Sequence, residues 1–198
     1  MNPMRDAQET PRQSILESAI VLFGKRGYNG TTMRDIAKDV GVLPGSLYAH
    51  ISSKEKLLDE IVELGINSFL AVESRLPASG TTVEKLRAAI REHIRIAAEH
   101  PGRSLVVFHQ WRFLTEPHLT RALNKRRRYQ HLFVKLIDAG IADGSFAPDL
   151  DSKIAVLTIL GALNWVPEWF SPVGPFSAAE VADKMADHLL SGLLKRND

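Results

Sequence analysis

TTMRDIAKDVGVLPGSLYAHISSK, residues 31–54, encodes two short helices around a glycine turn. Thr31 or Thr32 can accept a backbone N–H as N-cap. Asp35 falls in the first turn, where a carboxylate suits the positive end of the helix dipole. Ile36, Ala37 and Val40 form one apolar face. Gly41 supplies the sharp turn, Val42 packs back beneath it, and Pro44 suits the first position of the next helix, where no N–H is needed. The pattern predicts a helix-turn-helix over about residues 32–51. Its second helix turns Gly45, Ser46, Tyr48 and Ala49 outward, groups small or polar enough for close approach to a major groove, while Leu47 and Ile51 hold the inner face. Tyr48, His50 and Lys54 can reach flanking phosphates, which fix register without carrying sequence information, so base reading falls to the helix tip. The candidate DNA contacts are Thr32, Leu43, Pro44, Gly45, Ser46, Tyr48, His50 and Lys54.

Upstream, Thr10 and Gln13 form a capping box with Pro11 at the first helical position. Ile15, Leu16, Ala19, Ile20 and Phe23 then recur at helical spacing until Gly24 and Gly27. The unit has three helices. Residues 15–58 closely resemble the TetR family of regulators, whose pattern reads ILxxAxxLFxxxGYxGTTMxDIAxxxGVxxGxLYxHFxSKExLL. Leu43 stands where that family usually has Ser or Thr, which takes away a hydroxyl cap. Ile51 replaces a Phe, a core swap of similar volume. The resemblance implies an all-α protein, with a three-helix DNA-binding domain over 1–52 and a helical ligand-binding and dimerisation domain over 53–198. It further implies a homodimeric repressor that binds a double-stranded operator and leaves it when a small molecule binds.

The chain has 198 residues, enough for one or two domains, and its 25 basic and 23 acidic residues argue against a general polyanion binder. DNA binding is expected to be local. There are no cysteines, so disulfides and thiol redox sensing are excluded. Residues 1–13 are polar, with no apolar signal region. Charges interrupt every apolar run before the ~18 residues of a membrane span, so a cytoplasmic protein without membrane association is expected.

Beyond Ser53 the pattern is helical almost throughout: 53–75, 82–100, 104–114, 117–140, 151–170 and 177–195, the last opened by a Ser177/Glu180 capping box. Ile154, Leu157, Thr158, Gly161 and Ala162 give one helix a small and aliphatic face, and Val181, Met185, Leu189 and Leu193 stripe the next. These stripes suit either ordinary core or a four-helix dimer seam. The family resemblance implies the seam, with Leu157, Gly161, Met185 and Leu189 as its candidate residues.

Residues 163–174 (LNWVPEWFSPVG), 108–114 (FHQWRFL) and 126–129 resemble a subgroup of the family that controls steroid catabolism and senses acyl-CoA thioesters. Pro167 departs from its pattern and should kink the helix. On the long helix, Leu119, Ala122, Leu123, Tyr129 and Phe133 trace an apolar stripe on which Arg126 also falls. An inward arginine needs an anion, either a protein carboxylate such as Glu116 or Asp138 or a ligand phosphate. The candidate ligand residues are Trp111, Arg126, Tyr129, Trp165 and Trp169, and the expected effector is a small molecule, an acyl-CoA by resemblance, with no other cofactor. His93 and His100 lie seven apart, but no paired carboxylates or cysteines accompany them in metal-ligand spacing. Two other functions fit parts of the sequence. A sensor of hydrophobic or cationic drugs would put carboxylates in the pocket. A thioester-processing enzyme would use Ser104 and His109, yet no elbow or glycine-rich hole accompanies them.

Overall fold

Among the residues described by the computed structural model, 10–194, the chain is helical in the order α1 (Pro11–Arg26), α2 (Met33–Val40), α3 (Pro44–Tyr48), α4 (Lys54–Leu70), α5 (Val72–Arg75), α6 (Thr82–Glu99) and α7 (Pro101–Leu105). A π-helical turn (Val106–Gln110) and a 3-10 turn (Trp111–Phe113) follow, then α8 (His118–Ala142), α9 (Ser152–Asn164), α10 (Val166–Trp169) and α11 (Ala178–Ser191). Residues 1–9 and 195–198, which include most of the polar leader and the last residue of the final predicted helix, lie outside the described range.

Local chemistry sets the helix starts. Thr10 with Gln13, Thr32 with Asp35, Thr81 with Glu84 and Ser177 with Glu180 each form a reciprocal capping box, satisfying N–H groups that a helix start leaves unpaired. Gly41 ends α2 at φ 81°, a left-handed conformation costly for a residue with a Cβ. Pro44 opens α3, and Leu43, as N-cap, makes no side-chain cap bond.

Two apolar clusters result. The first joins α1–α3 to the start of α4, with Ile15, Phe23, Ile36, Leu47 and Ile51 buried, and it also takes in Val106, Leu114 and Ala122. The second lies among α4, α6, α8, α9 and α11, around Phe69, Ile90, Phe133 and Val156. Helix α4 belongs to both: Leu57, Leu58, Ile61 and Val62 serve the first cluster, Ile66 and Phe69 the second. Its Gly65 sits against the π-helical turn so closely that a Cβ there would meet Val107 Cγ2 at 2.3 Å.

The described structure departs from the predicted spans in three places. The 53–75 helix is broken at Ala71. Residues 104–114 are not one helix but the end of α7, the π turn and the 3-10 turn, a departure that a 3.6-residue hydrophobic period does not encode. The 151–170 helix ends at Asn164, and Pro167 falls in the first turn of a new helix, α10. There its missing N–H costs nothing, so the kink predicted at this proline is a full break.

Candidate DNA-binding surface and effector pocket

Helix α3 presents its outer face to solvent. Leu43 is 77% exposed and Tyr48 55%, with Pro44, Gly45, Ser46, Ala49 and His50 exposed beside them, while Leu47 is fully buried beneath. Nothing lies within 4 Å of a Cβ built on Gly45, so the centre of this face is open to a groove wall. Thr32 is exposed but committed: its Oγ1 donates to Asp35 Oδ2 at 2.6 Å and accepts from the Asp35 N–H at 3.1 Å, and these bonds hold the Asp35 carboxyl below its ordinary range. Arg26, Arg34 and Lys38 are also exposed near this surface, and none is in an ion pair among the described residues. The sequence reading passed over these three. That none reaches a carboxylate closely enough for an ion pair among the described residues, although Arg26 and Lys38 help lower the Asp35 carboxyl, appears only in three dimensions.

The expectation that Lys54 is free to reach a phosphate is corrected. Its Nζ donates to the Tyr28 carbonyl at 3.0 Å and the Thr31 carbonyl at 2.9 Å, and sits 4.2 Å from the centre of the Tyr28 ring. The ammonium straps the α1–α2 loop to the start of α4, because loop carbonyls with no helical partner are the nearest acceptors. Lys54→Ala is therefore expected to destabilise the fold by roughly 1.5–3 kcal/mol in denaturant melts. An unchanged melt with a salt dependence of DNA binding flatter by about 0.9 in log–log slope would return Lys54 to phosphate contact.

A cavity of about 410 Å³ opens between α4, the π turn, α8 and α9. Trp111, Arg126 and Tyr129 line it together, with Phe69 and Phe108 as apolar wall, and no aspartate or glutamate is among the lining residues. The Arg126 guanidinium donates to the Val107 carbonyl at 3.1 Å and lies 4.8 Å from the centre of the Trp111 ring. No carboxylate pairs with it among the described residues, which removes Glu116 and Asp138 as its anion. Burial, then the nearby Arg112 charge, lowers its pKa, as expected of a cation lacking a counter-ion. The Trp111 indole N–H is buried without a partner among the described residues. Behind the wall, His93 Nδ1 lies 3.0 Å from the Tyr129 hydroxyl.

Trp165 and Trp169 do not line this cavity; they are 57% and 50% exposed. Trp165, the C-cap of α9, continues the exposed face of that helix four residues beyond Gly161, and after the break α10 turns Val166 and Pro167 inward and leaves Trp169 outside. Ile154, Leu157 and Gly161 of α9, with Trp165 at its C-cap, form one exposed stripe, and Leu157 and Gly161 also line the cavity. On α11, Met185 and Leu189 are half-buried against the core, whereas Val181, and Leu193 just past the helix end, are buried within it. Ser104 and His109 are not linked by a hydrogen bond among the described residues; His109 Nε2 instead faces Glu168 Oε1 at 3.2 Å.

A larger groove, about 980 Å³, runs between α6 and α11 and carries Arg75, Arg87, Arg91 and Arg95. Each of them is already paired, Arg87 with Asp187 at 2.6 Å, Arg91 with Asp183 at 3.0 Å, and Arg75 and Arg95 with Glu92. It therefore has less to offer an anion than the smaller cavity. A second set of polar contacts joins α4 to α8 and to the segment just before it. Glu55 accepts from the Thr115 N–H at 2.9 Å, Asp59 pairs with Arg121 at 2.5 Å and His118 at 3.0 Å, and Glu63 pairs with Lys125. Burial pushes the Asp59 carboxyl up, but the bonds from Lys56 and Arg121 and the neighbouring charges outweigh it and hold it below its ordinary value. Helix α8 thus carries Arg126 and Tyr129 into the cavity and grips with its first turns the helix that leads to the recognition surface.

Two family models match the chain: "Bacterial regulatory proteins, tetR family" over residues 15–61 and "Tetracyclin repressor-like, C-terminal domain" over residues 79–193. The HTH-type transcriptional repressor KstR2 of Mycobacterium tuberculosis is 30% identical, covering 93% of each chain. KstR2 of Mycolicibacterium smegmatis is 31% identical, covering 92% of this chain and 90% of its own. Among solved structures, the ketosteroid transcriptional regulator KstR2 of Mycobacterium tuberculosis superposes with a TM-score of 0.84 at 25% identity, covering 96% of this chain and 98% of that one. AibR in complex with isovaleryl coenzyme A and operator DNA superposes with a TM-score of 0.79 at 26% identity, covering 93% and 98%. The exposed recognition helix on its glycine turn, the helical second domain and these matches lead to one assignment: the chain belongs to the TetR family of DNA-binding transcriptional repressors.

Proposed function

We propose that this repressor works as a homodimer whose operator affinity falls when an anionic amphiphile, an acyl-CoA thioester, fills the cavity between α4, α8 and α9. One observation carries the reading: Arg126 is a half-buried cation with no carboxylate partner among the described residues, in a cavity without an acidic lining residue. A phosphate group of coenzyme A supplies the missing charge, and the Phe69 and Phe108 wall accepts the acyl chain. AibR was solved with an acyl-CoA and operator DNA, and KstR2 is named a ketosteroid regulator, which favours genes of lipid, steroid or aromatic-acid catabolism as targets. A cationic drug is the poorer occupant, since no carboxylate would meet it. Residues up to about 52 serve DNA and the remainder serves effector and partner.

An effector shifts the protein only as far as it prefers one conformation. Ligand held by Arg126 and Tyr129 biases the position of α8, and the Glu55, Asp59 and Glu63 contacts pass that bias to α4 and so to the spacing of the recognition helices. The exposed α9 stripe, with Met185 and Leu189 beside it, is the proposed dimer seam, and Trp165 belongs to this seam in place of the pocket. Two-fold symmetry then sets recognition helices about one DNA turn apart, ~34–36 Å. Footprinting on a selected operator is expected to show one continuous palindromic protection; full-affinity binding of a single protomer to a half-site would oppose it. Native mass spectrometry of protein purified without added ligand tests the effector class. A retained coenzyme A adduct supports the reading, and a retained cationic amphiphile contradicts it.

A further inference from the structure

In the cavity wall Tyr129 is joined to a buried histidine that the effector reading leaves unused. His93 on α6 is fully buried, its Nδ1 is 3.0 Å from the Tyr129 hydroxyl, and its Nε2 meets no partner among the described residues. The ring is held between Phe69, 4.7 Å away, and Phe108, on which it stacks at 13°. It cannot turn to find a second partner without repacking both. A neutral imidazole has one N–H. With the proton on Nε2, a buried donor would have nothing to bond. With the proton on Nδ1, the idle group of the ring is an acceptor lone pair, and the donor left over is the Tyr129 O–H, which lines the cavity and can be met by what fills it, as a fully buried Nε2–H could not. The proton is thus assigned to Nδ1, donated to the Tyr129 oxygen, across a 3.0 Å contact that by itself fits either direction. Burial keeps this histidine neutral and the phenol protonated. The phenolic O–H is then left without a protein acceptor among the described residues, on a side chain that lines the cavity.

We propose that Tyr129, its polarity fixed by His93 as a positioning residue, is a hydrogen-bond donor that selects effectors carrying a carbonyl oxygen at the apolar end of the cavity. The inference rests on the effector reading above for the ligand, but its premise is testable without one. Nitrogen-15 NMR of the ligand-free protein at neutral pH is expected to show His93 protonated at Nδ1 and bare at Nε2; the opposite tautomer overturns the proposal. Calorimetric titrations then compare isovaleryl-CoA with its thioether isopentyl-CoA, which lacks the carbonyl oxygen. Wild type should favour the thioester by about tenfold. Tyr129→Phe should erase that preference by weakening only the thioester, and His93→Asn, whose amide N–H can replace the Nδ1 donor, should retain it. A preference that survives in Tyr129→Phe, or is absent from the wild type, overturns the proposal. A 3-oxoalkyl-CoA thioether that regains the preference would assign the bond to a keto oxygen, and one that does not would assign it to the thioester. If no CoA compound binds, the effector reading fails, while the tautomer still decides whether Tyr129 is a donor.

Discussion

Arg126→Met is expected to raise the acyl-CoA concentration needed for operator release by about tenfold or more, ~1.4 kcal/mol or above, with operator affinity unchanged in the absence of effector. The loss is that of a charge-assisted bond to a phosphate in a partly dry site. Stability should hold or rise slightly. Among the described residues Arg126 has no carboxylate to strand, and its protein partners are the Val107 carbonyl and the Trp111 ring face. Methionine covers a similar apolar surface without a buried charge to solvate. Had the arginine been held by a protein carboxylate, the same change would cost roughly 3–5 kcal/mol. An induction titration and a thermal melt on this variant separate the outcomes: a large fall in melting temperature with an unchanged effector response would remove Arg126 from the site.

Between pH 7 and pH 5 the protein should lose about 2 kcal/mol of stability through His93 alone. Complete burial lowers the His93 pKa from 6.5 to about 3. The unfolded chain takes up a proton on this imidazole below about pH 6.5, whereas the folded chain does not until about pH 3. Protons bound in the unfolded state therefore exceed those in the native state across that window, and stability falls with pH at up to ~1.4 kcal/mol per unit. Carboxylates held below their ordinary values, Glu55, Asp59 and Glu63 among them, act in a separate window: their contribution is present above the ordinary carboxylate pKa and is lost only below it. His93→Phe, which keeps an aromatic ring against Phe69 and Phe108, should flatten the slope between pH 7 and pH 5 in denaturant melts. His100, held low by burial and by Arg103, is common to both proteins and cancels in the comparison. Identical slopes for wild type and variant would show that His93 titrates in the folded state as it does in water.

The features legible in the sequence are those that local chemistry dictates. Thr10 with Gln13, Thr32 with Asp35, and Ser177 with Glu180 could be read as helix starts because a capping box needs residues only three apart. Gly41 and Pro44 marked the turn for the same reason, and the fold and family followed from that stretch. The site was legible in part. Trp111, Arg126 and Tyr129 do meet in one cavity, Arg126 and Tyr129 from one stripe of α8 and Trp111 from the 3-10 turn. Trp165 was misplaced because it continues the exposed face of α9, and Trp169 because Pro167 starts a helix instead of bending one, which leaves that ring outward. Lys54 was misplaced because its acceptors, the carbonyls of Tyr28 and Thr31, are 26 and 23 residues away in the chain. The His93–Tyr129 bond spans 36 residues and left no trace in the spacing of histidines.

The central claim is that filling the Arg126 cavity with an acyl-CoA releases DNA. Fluorescence anisotropy of a labelled operator duplex bound to the homodimer, titrated in parallel with an acyl-CoA panel, the corresponding free acids and free coenzyme A, tests it most directly. The account predicts a saturable fall to the value of free DNA with at least one acyl-CoA, with the free acid and free coenzyme A far weaker because each fills only half of the cavity. Anisotropy that stays at the bound value through the whole acyl-CoA panel, or that falls equally with free coenzyme A, would contradict it.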